Sequence, residues 1–287
     1  MSKAKLVYIL SLRNAAADKA GQHIDHKGTP RYMKSPLEYL AQALDSTPLG
    51  DAYSLEGVVY DDDEHSPRDQ VALADYGFAW HPDRKWIFPP DLRAQGRLVR
   101  EMLHPVPSAY RRLPLDAAER PAGKSAFERA LLDKLLTLQA DVVVLDGLLV
   151  ILDELVRPGA LFHRRIVNIH PGITRIESPY ERRGACATLD ALHGVQGRKV
   201  IDWKTMETAP APLVRKTGAS LHYVDNGIDS GEVIFDVLGT DIDPSDSILE
   251  LRWNNFNLSL FPALHQGLVL LAPHIRRPPG ASTQGDL

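Results

Sequence analysis

Two unbroken apolar runs, Leu6-Val7-Tyr8-Ile9-Leu10 and Val142-Val143-Val144-Leu145, constrain this chain more than any other feature. A strand with one wet face alternates apolar and polar residues, whereas a strand that is apolar throughout must be covered on both faces. Such strands belong to parallel sheets sandwiched between helices, and the intervening sequence supplies the helices. Ser35-Pro36 provides an N-cap and a first helical proline, with Leu37, Leu40, Ala41 and Leu44 on one face behind them. Leu55–Tyr60 reads as a second strand running into Asp61-Asp62-Asp63-Glu64-His65, and Ser66-Pro67 opens a further helix. Ser125 to Gln139 carries Phe127, Ala130, Leu131, Leu135 and Leu138 at helical spacing. The alternation predicts an α/β fold: an open, mostly parallel, twisted sheet with flanking helices, Rossmann-like in character. Residues 78–124, with scattered Pro, Trp and Arg, read as an irregular insertion holding a short helix near Leu98–Leu103.

The second half continues with an apolar segment, Leu148–Leu152, after Asp146-Gly147, and then a strand from Arg165 to His170. A helix over Gly184–Leu192, a strand over Lys199–Trp203 and paired strands Thr217–Val224 and Glu232–Leu238 follow. Ser247 to Leu271 reads as a long closing helix. Residues 1–275 are expected to form one domain, and the Pro-, Gly-, Ser- and Thr-rich residues 276–287 a disordered tail. A net charge of −4 lacks the basic excess of a nucleic-acid binder. The pairs Arg111-Arg112, Arg164-Arg165, Arg182-Arg183 and Arg276-Arg277 are dispersed and read as solvated. A single cysteine, Cys186, rules out an internal disulfide or a multi-cysteine zinc site and reads as a core thiol. No segment reads as a transmembrane helix or signal-peptide core, so a cytoplasmic location and no membrane partner are expected.

The chemistry concentrates at Asn168-Ile169-His170-Pro171-Gly172. Strand side chains alternate with a period of two, so Asn168 and His170 share a face and Pro171 ends the strand. An amide donor beside an imidazole is the minimum equipment for acyl transfer, where an oxyanion is held and a proton removed. In open parallel sheets ligands lie beyond the carboxyl ends of strands. There the Asp146–Leu152 loop and the Asp225–Gly231 turn can converge on this strand end. Asp229 then supplies a carboxylate able to orient His170 and stabilise its cation. Whether His170 acts as base or as oxyanion donor is open at this level, and no Cys/His spacing suggests a metal.

Three segments taken in order, Asn168-Ile169-His170-Pro171, the Gly218–Val224 strand and Ile228-Asp229-Ser230-Gly231-Glu232-Val233-Ile234, resemble the folate-dependent formyltransferase family. The resemblance spans Ala140 to Leu271. It implies an enzyme that moves a formyl group from 10-formyltetrahydrofolate, its co-substrate, to an amine. It further implies Asn168, His170 and Asp229 as the catalytic trio. Leu149, Val150, Ile151 and Leu152 would receive the pterin on one side, with Val224, Asp225 and Ile228 on the other. His222 falls where several members carry a histidine near the site.

The amine is read from the first half. Ser11-Leu12-Arg13-Asn14-Ala15 lacks the glycine-rich phosphate cradle of ribonucleotide-binding members, and the stretch after Asp229 lacks the basic excess expected of a tRNA-binding member. Ser35–Leu40, Asp61–Asp69, Ser178–Gly184 and Leu251–Asn255 resemble the pyoverdine-type N5-hydroxyornithine formyltransferases of siderophore biosynthesis. That likeness implies N5-hydroxyornithine as a small-molecule substrate. Arg13, Asp61, Asp63, Arg183, His222 and Arg252 are the candidates for holding it. Alternatives are a nucleotide-linked amino sugar as acceptor, a folate hydrolase, or a non-catalytic folate-binding protein. Oligomeric state is not legible.

Overall fold

The computed structural model describes residues 2–203 and 205–275, so the expected tail at 276–287 lies outside the described residues. Seven strands build the central sheet: β1 (Ala4–Ser11), β2 (Tyr53–Asp62), β3 (Leu103–Pro107), β4 (Val142–Asp146), β5 (Ile166–His170), β6 (Lys216–Tyr223) and β7 (Val233–Asp241). Their spatial order is β7-β6-β5-β4-β1-β2-β3. β3, β2, β1, β4 and β5 run parallel, while β6 is antiparallel to both β5 and β7. The chain builds outward from β1 to β3 and then returns to place β4 on the other side of β1. The topological switch point therefore lies between β1 and β4, where a crevice opens at the strands' carboxyl ends.

The doubly apolar runs behave as expected. Leu6, Tyr8 and Leu10 of β1 pack on one face with α2 (Pro36–Ser46) and the closing helix, while Val7 and Ile9 pack on the other with α3 (Arg120–Thr137). The Ser35 hydroxyl accepts the Glu38 N–H at 3.1 Å, and Leu37, Leu40, Ala41 and Leu44 are buried. The closing element runs unbroken from Ile248 to Ile275. It comprises α5 (Ile248–Asn255), one π-helical stretch at Phe256–Leu260, and α6 (Phe261–Ile275). A Ser247–Glu250 capping box starts it.

Several expectations need correction. By length and hydropathy the 28-residue closing helix could cross a membrane. Here Leu264, Leu268 and Leu271 are buried in the main core, and the Tyr53 hydroxyl donates to the Leu268 carbonyl at 2.7 Å. Residues 78–124 are not merely an insertion, because β3 is the outer parallel strand of the sheet. Pro105 and Pro107 conceal it in the sequence, and an edge strand is where prolines are tolerated. The helix expected at Leu98–Leu103 is a four-residue 3-10 turn, Val99–Met102. Helix α3 begins at Arg120, earlier than its apolar face announces. The loop after β1 contains α1 (Leu12–Ala17) and a hairpin, His23–His26 with Thr29–Tyr32. The strand near Lys199 pairs with Glu207–Pro210 as a ribbon outside the main sheet. The arginine pairs are not all solvated: Arg182 lies 3.0 Å from Asp190 with both side chains buried, and Arg111 and Arg112 are bound to acids of β2 and its loop.

Candidate active site

The β5–β6 register sets the site. Asn168 lies opposite His222 and His170 opposite Ser220, so all four side chains meet on one face. The turn after β6 brings in Asp229, whose φ of +46° is a left-handed conformation rarely adopted by non-glycine residues. Asp225 holds that turn by accepting the Gly227 N–H at 3.0 Å and the Ser230 hydroxyl at 2.7 Å.

Asp229 Oδ2 accepts the Gly184 N–H at 2.8 Å and lies 3.4 Å from His170 Nδ1. The Asn168 amide donates to Asp229 Oδ1 at 3.2 Å and meets His222 Nε2 at 3.2 Å. His222 Nδ1 is 2.8 Å from the Tyr223 carbonyl, which can only accept. In the neutral ring the proton is therefore on Nδ1, and Nε2 faces the Asn168 amide, with Asp229 Oδ1 3.5 Å away and able to pair with Nε2 when the ring is protonated. The same reasoning fixes His170. Its Nε2 lies 3.0 Å from the Arg182 carbonyl and donates there, leaving Nδ1 turned toward the carboxylate.

Burial pushes the His170 pKa below the usual histidine value, more than the Asp229 carboxylate raises it, and the Arg252 charge adds to the fall. Burial acts to raise the Asp229 carboxyl, but His170, His222 and the Gly184 N–H together hold it well below the ordinary range. The resting pair is thus a neutral imidazole beside an ionised carboxylate, ready to take a proton at Nδ1 and stabilise the cation formed.

Two supporting groups are backbone atoms that the sequence does not reveal, the Gly184 N–H and the Arg182 carbonyl. Gly172 packs beneath the second: a Cβ there would come within 2.4 Å of the Arg182 oxygen and 3.2 Å of His170 Nε2. Cys186, read as a core thiol, is half-buried at the start of α4 (Ala187–Gly194), with burial pushing its pKa up.

The segments named for the pterin share part of the core. Leu148, Val150, Leu152 and Val224 share one apolar cluster, with Leu152 fully buried. Leu149, Ile151 and Ile228 remain 52%, 43% and 59% exposed, leaving aliphatic surface on both segments.

The substrate candidates divide. His222 stands inside the trio's network. Arg183 donates twice to the Thr174 carbonyl and pairs with Glu181, so its role is to fold the loop. Arg13 pairs with Asp69 at 3.2 Å. Asp61 is bound by Arg111, and Asp63 lies 3.2 Å from Arg112. These charges are spent on one another beyond β2, and the acidic loop is buried rather than solvated at Asp61 and Asp63. Arg252, on α5, binds Asp18 through Nη1 at 2.7 and 2.9 Å and Thr188 through Nε at 2.8 Å. Asp18 and Asp146 were not anticipated. The Tyr8 hydroxyl donates to Asp146 at 2.8 Å, and the Asn14 amide bonds the Gly147 carbonyl across the switch point.

No family model matches the chain, and no curated protein matches it. Among solved structures it is similar to PvdF of pyoverdin biosynthesis, a structurally unique N10-formyltetrahydrofolate-dependent formyltransferase. The identity is 63% and the TM-score 0.88, over 94% of this chain and 99% of that one. It is also similar to phosphoribosylglycinamide formyltransferase from Anaplasma phagocytophilum, at 18% identity and a TM-score of 0.53, over 95% of this chain and 89% of that one. The Brucella melitensis enzyme of the same name matches at 16% identity and 0.51, over 96% and 98%. The last two comparisons establish a common fold.

Proposed function

Because the chain belongs to the N10-formyltetrahydrofolate-dependent formyltransferases, we propose that it formylates the N5-hydroxylamine nitrogen of N5-hydroxyornithine for a hydroxamate siderophore of the pyoverdine type. The observation that carries this reading is the 63% identity to PvdF over nearly the whole of both chains. The sequence likeness to hydroxyornithine formyltransferases supplies the acceptor. In this reading residues 1–275 work as one formyltransferase domain.

The folate, when bound, supplies an electrophilic formyl carbon whose oxygen gathers negative charge as the amine attacks. The exposed Leu149, Ile151 and Ile228, backed by Val150, Leu152 and Val224, are the residues that would hold its ring. Asn168 shares its two amide hydrogens between Asp229 and His222, and the formyl oxygen takes one of them. His170 starts neutral and receives the proton of the attacking nitrogen at Nδ1, because Nε2 is engaged by the Arg182 carbonyl. The resulting imidazolium faces Asp229 at 3.4 Å and is stabilised by it, and its proton would pass to the folate nitrogen as the bond from that nitrogen to the formyl carbon breaks. A hydroxylamine nitrogen is less basic than an alkyl amine and is largely neutral near pH 7. The base therefore removes a proton only after attack, which suits a histidine whose pKa is held low.

The test is mass spectrometry of the protein with 10-formyltetrahydrofolate and a panel of amines: N5-hydroxyornithine, ornithine, N6-hydroxylysine and a nucleotide-linked amino sugar. One formyl mass is expected on hydroxyornithine, abolished by Asp229→Asn in a protein that still melts cooperatively. Transfer to the amino sugar but not to hydroxyornithine would make the acceptor assignment wrong.

A further inference from the structure

Asp18 and Arg252 form a charged pair at the switch point that the catalytic trio does not use. Asp18 closes α1, directly after β1, and Arg252 reaches it from α5. Both anchors of the Arg252 helix lie against the active site. Asn255, one turn further along α5, donates to the carbonyl of Pro171, the residue after His170, at 3.2 Å. Thr188, which accepts from Arg252 Nε, stands on α4 just beyond Gly184, the donor to Asp229. The pair is not sealed: the two side chains keep 14% and 19% of their exposure. Among the described residues Arg252 Nη2 makes no hydrogen bond, so one edge of the guanidinium is uncommitted.

The geometry points to this pair as the docking point for the α-amino-acid head of the acceptor, Arg252 taking its carboxylate and Asp18 its ammonium. The inference rests on the acceptor class proposed above and assigns the residues that read it. A zwitterionic head is a match in both sign and number. Inserted between the two side chains, it replaces one ion pair with two, and no charge is left buried without a partner. Guanidinium and carboxylate match as planar forks, which suits the free Nη2 edge. The head sits beyond β1 while the side chain runs along the strand ends toward His170, whose pKa the Arg252 charge helps to hold down. An acceptor bearing phosphates and no ammonium would instead set negative charge against Asp18, which disfavours a nucleotide-linked sugar here.

The alternative is that Asp18–Arg252 only ties α5 to α1. A cycle between residue and substrate group separates the two. Wild type, Arg252→Gln, Arg252→Lys and Asp18→Asn are assayed with 10-formyltetrahydrofolate and three acceptors: N5-hydroxyornithine, the same molecule without its α-carboxylate, and the same molecule without its α-ammonium. In wild type, loss of either group should lower kcat/KM on the order of 10- to 100-fold, mainly through KM. In Arg252→Gln the penalty for losing the carboxylate should collapse while that for losing the ammonium persists. Asp18→Asn should show the reverse, and Arg252→Lys should recover part of the carboxylate preference. Equal losses on all three acceptors would mark the pair as a tether and overturn the inference. So would a wild-type enzyme indifferent to both groups, a result that needs no variant to fold. If wild type transfers to none of the three, the acceptor assignment itself fails and the clamp fails with it. That outcome is distinct from turnover of hydroxyornithine without coupling.

Discussion

At the scale of single residues, the unusual feature is that the Asn168 amide has both N–H groups engaged, one by Asp229 and one by His222. His222 is 2% exposed, and its Nδ1–H is tied to the Tyr223 carbonyl, so its ring cannot turn and the neutral form presents Nε2 to the Asn168 amide. Its task is to hold the amide plane in place. His222→Phe should therefore lower kcat by roughly 10- to 100-fold with the folate KM little changed, as expected when one oriented donor is loosened. His222→Gln restores an acceptor oxygen and should recover part of the loss. Steady-state kinetics on both variants check this, and equal defects in the two would count against a positioning role. Asn168, His170 and Asp229 were legible in sequence because alternation puts the first two on one face and a turn motif supplies the third. The Gly184 N–H and Arg182 carbonyl were not, since any residue carries the same backbone atoms. Arg13, Asp61 and Asp63 stood out in the sequence for their charges, and the fold pairs those charges with Arg111, Arg112 and Asp69.

At the scale of elements, the turn between β6 and β7 carries the Asp229 carboxylate and owes its shape to contacts that a side chain would break. A Cβ on Gly231 would stand 1.8 Å from the Tyr223 carbonyl, where the chain folds back to let the Tyr223 N–H reach the Glu232 carbonyl at 2.9 Å. Gly231→Ala should cost about 2–4 kcal/mol of stability by forcing these backbones apart. It should also cut turnover sharply, because Asp229 moves with the turn. Gly28 is the control: its φ is +79°, but nothing lies within 4 Å of a Cβ there. Gly28→Ala should therefore cost only about 1 kcal/mol and leave turnover intact. Urea denaturation and initial rates report both quantities, and like behaviour of the two variants would refute the argument. The buried strands and the capped helices were readable because one local pattern fixes each. The edge strand β3 was not, because its prolines are tolerated only through its place in the sheet, which is a property of the assembled fold.

At the scale of the whole molecule, the carboxyl edge of the sheet gathers buried acids whose pKa values the fold raises. Burial raises the Asp61 pKa to about 6 and that of Asp146 to about 7, with nearby acids adding to the rise in each case. Asp18 and Asp63 are raised by burial as well. The folded state binds these protons more tightly than the unfolded chain. Their stabilising contribution is therefore complete below the ordinary carboxylate pKa and is lost as pH rises through the folded value. For Asp146 the loss runs from near pH 4 to just above pH 7. Asp146→Asn cannot ionise, yet its amide oxygen can still accept from Tyr8, so the variant should escape that loss. Its stability relative to wild type should grow by about 2–3 kcal/mol between pH 5 and pH 8, with the melting temperature following by several degrees. Thermal melts of both proteins across this range decide the matter, and an offset independent of pH would show that Asp146 does not titrate there. The wild-type acid persists at this cost in a place that topology makes a ligand crevice, beside the Asp18–Arg252 pair whose charge it feels. Stability given up at the switch point and head-group recognition assigned to the same edge are then two readings of one arrangement. On that view Asp146→Asn, the more stable protein in alkali, should be the poorer enzyme at pH 8 toward an acceptor bearing an α-ammonium.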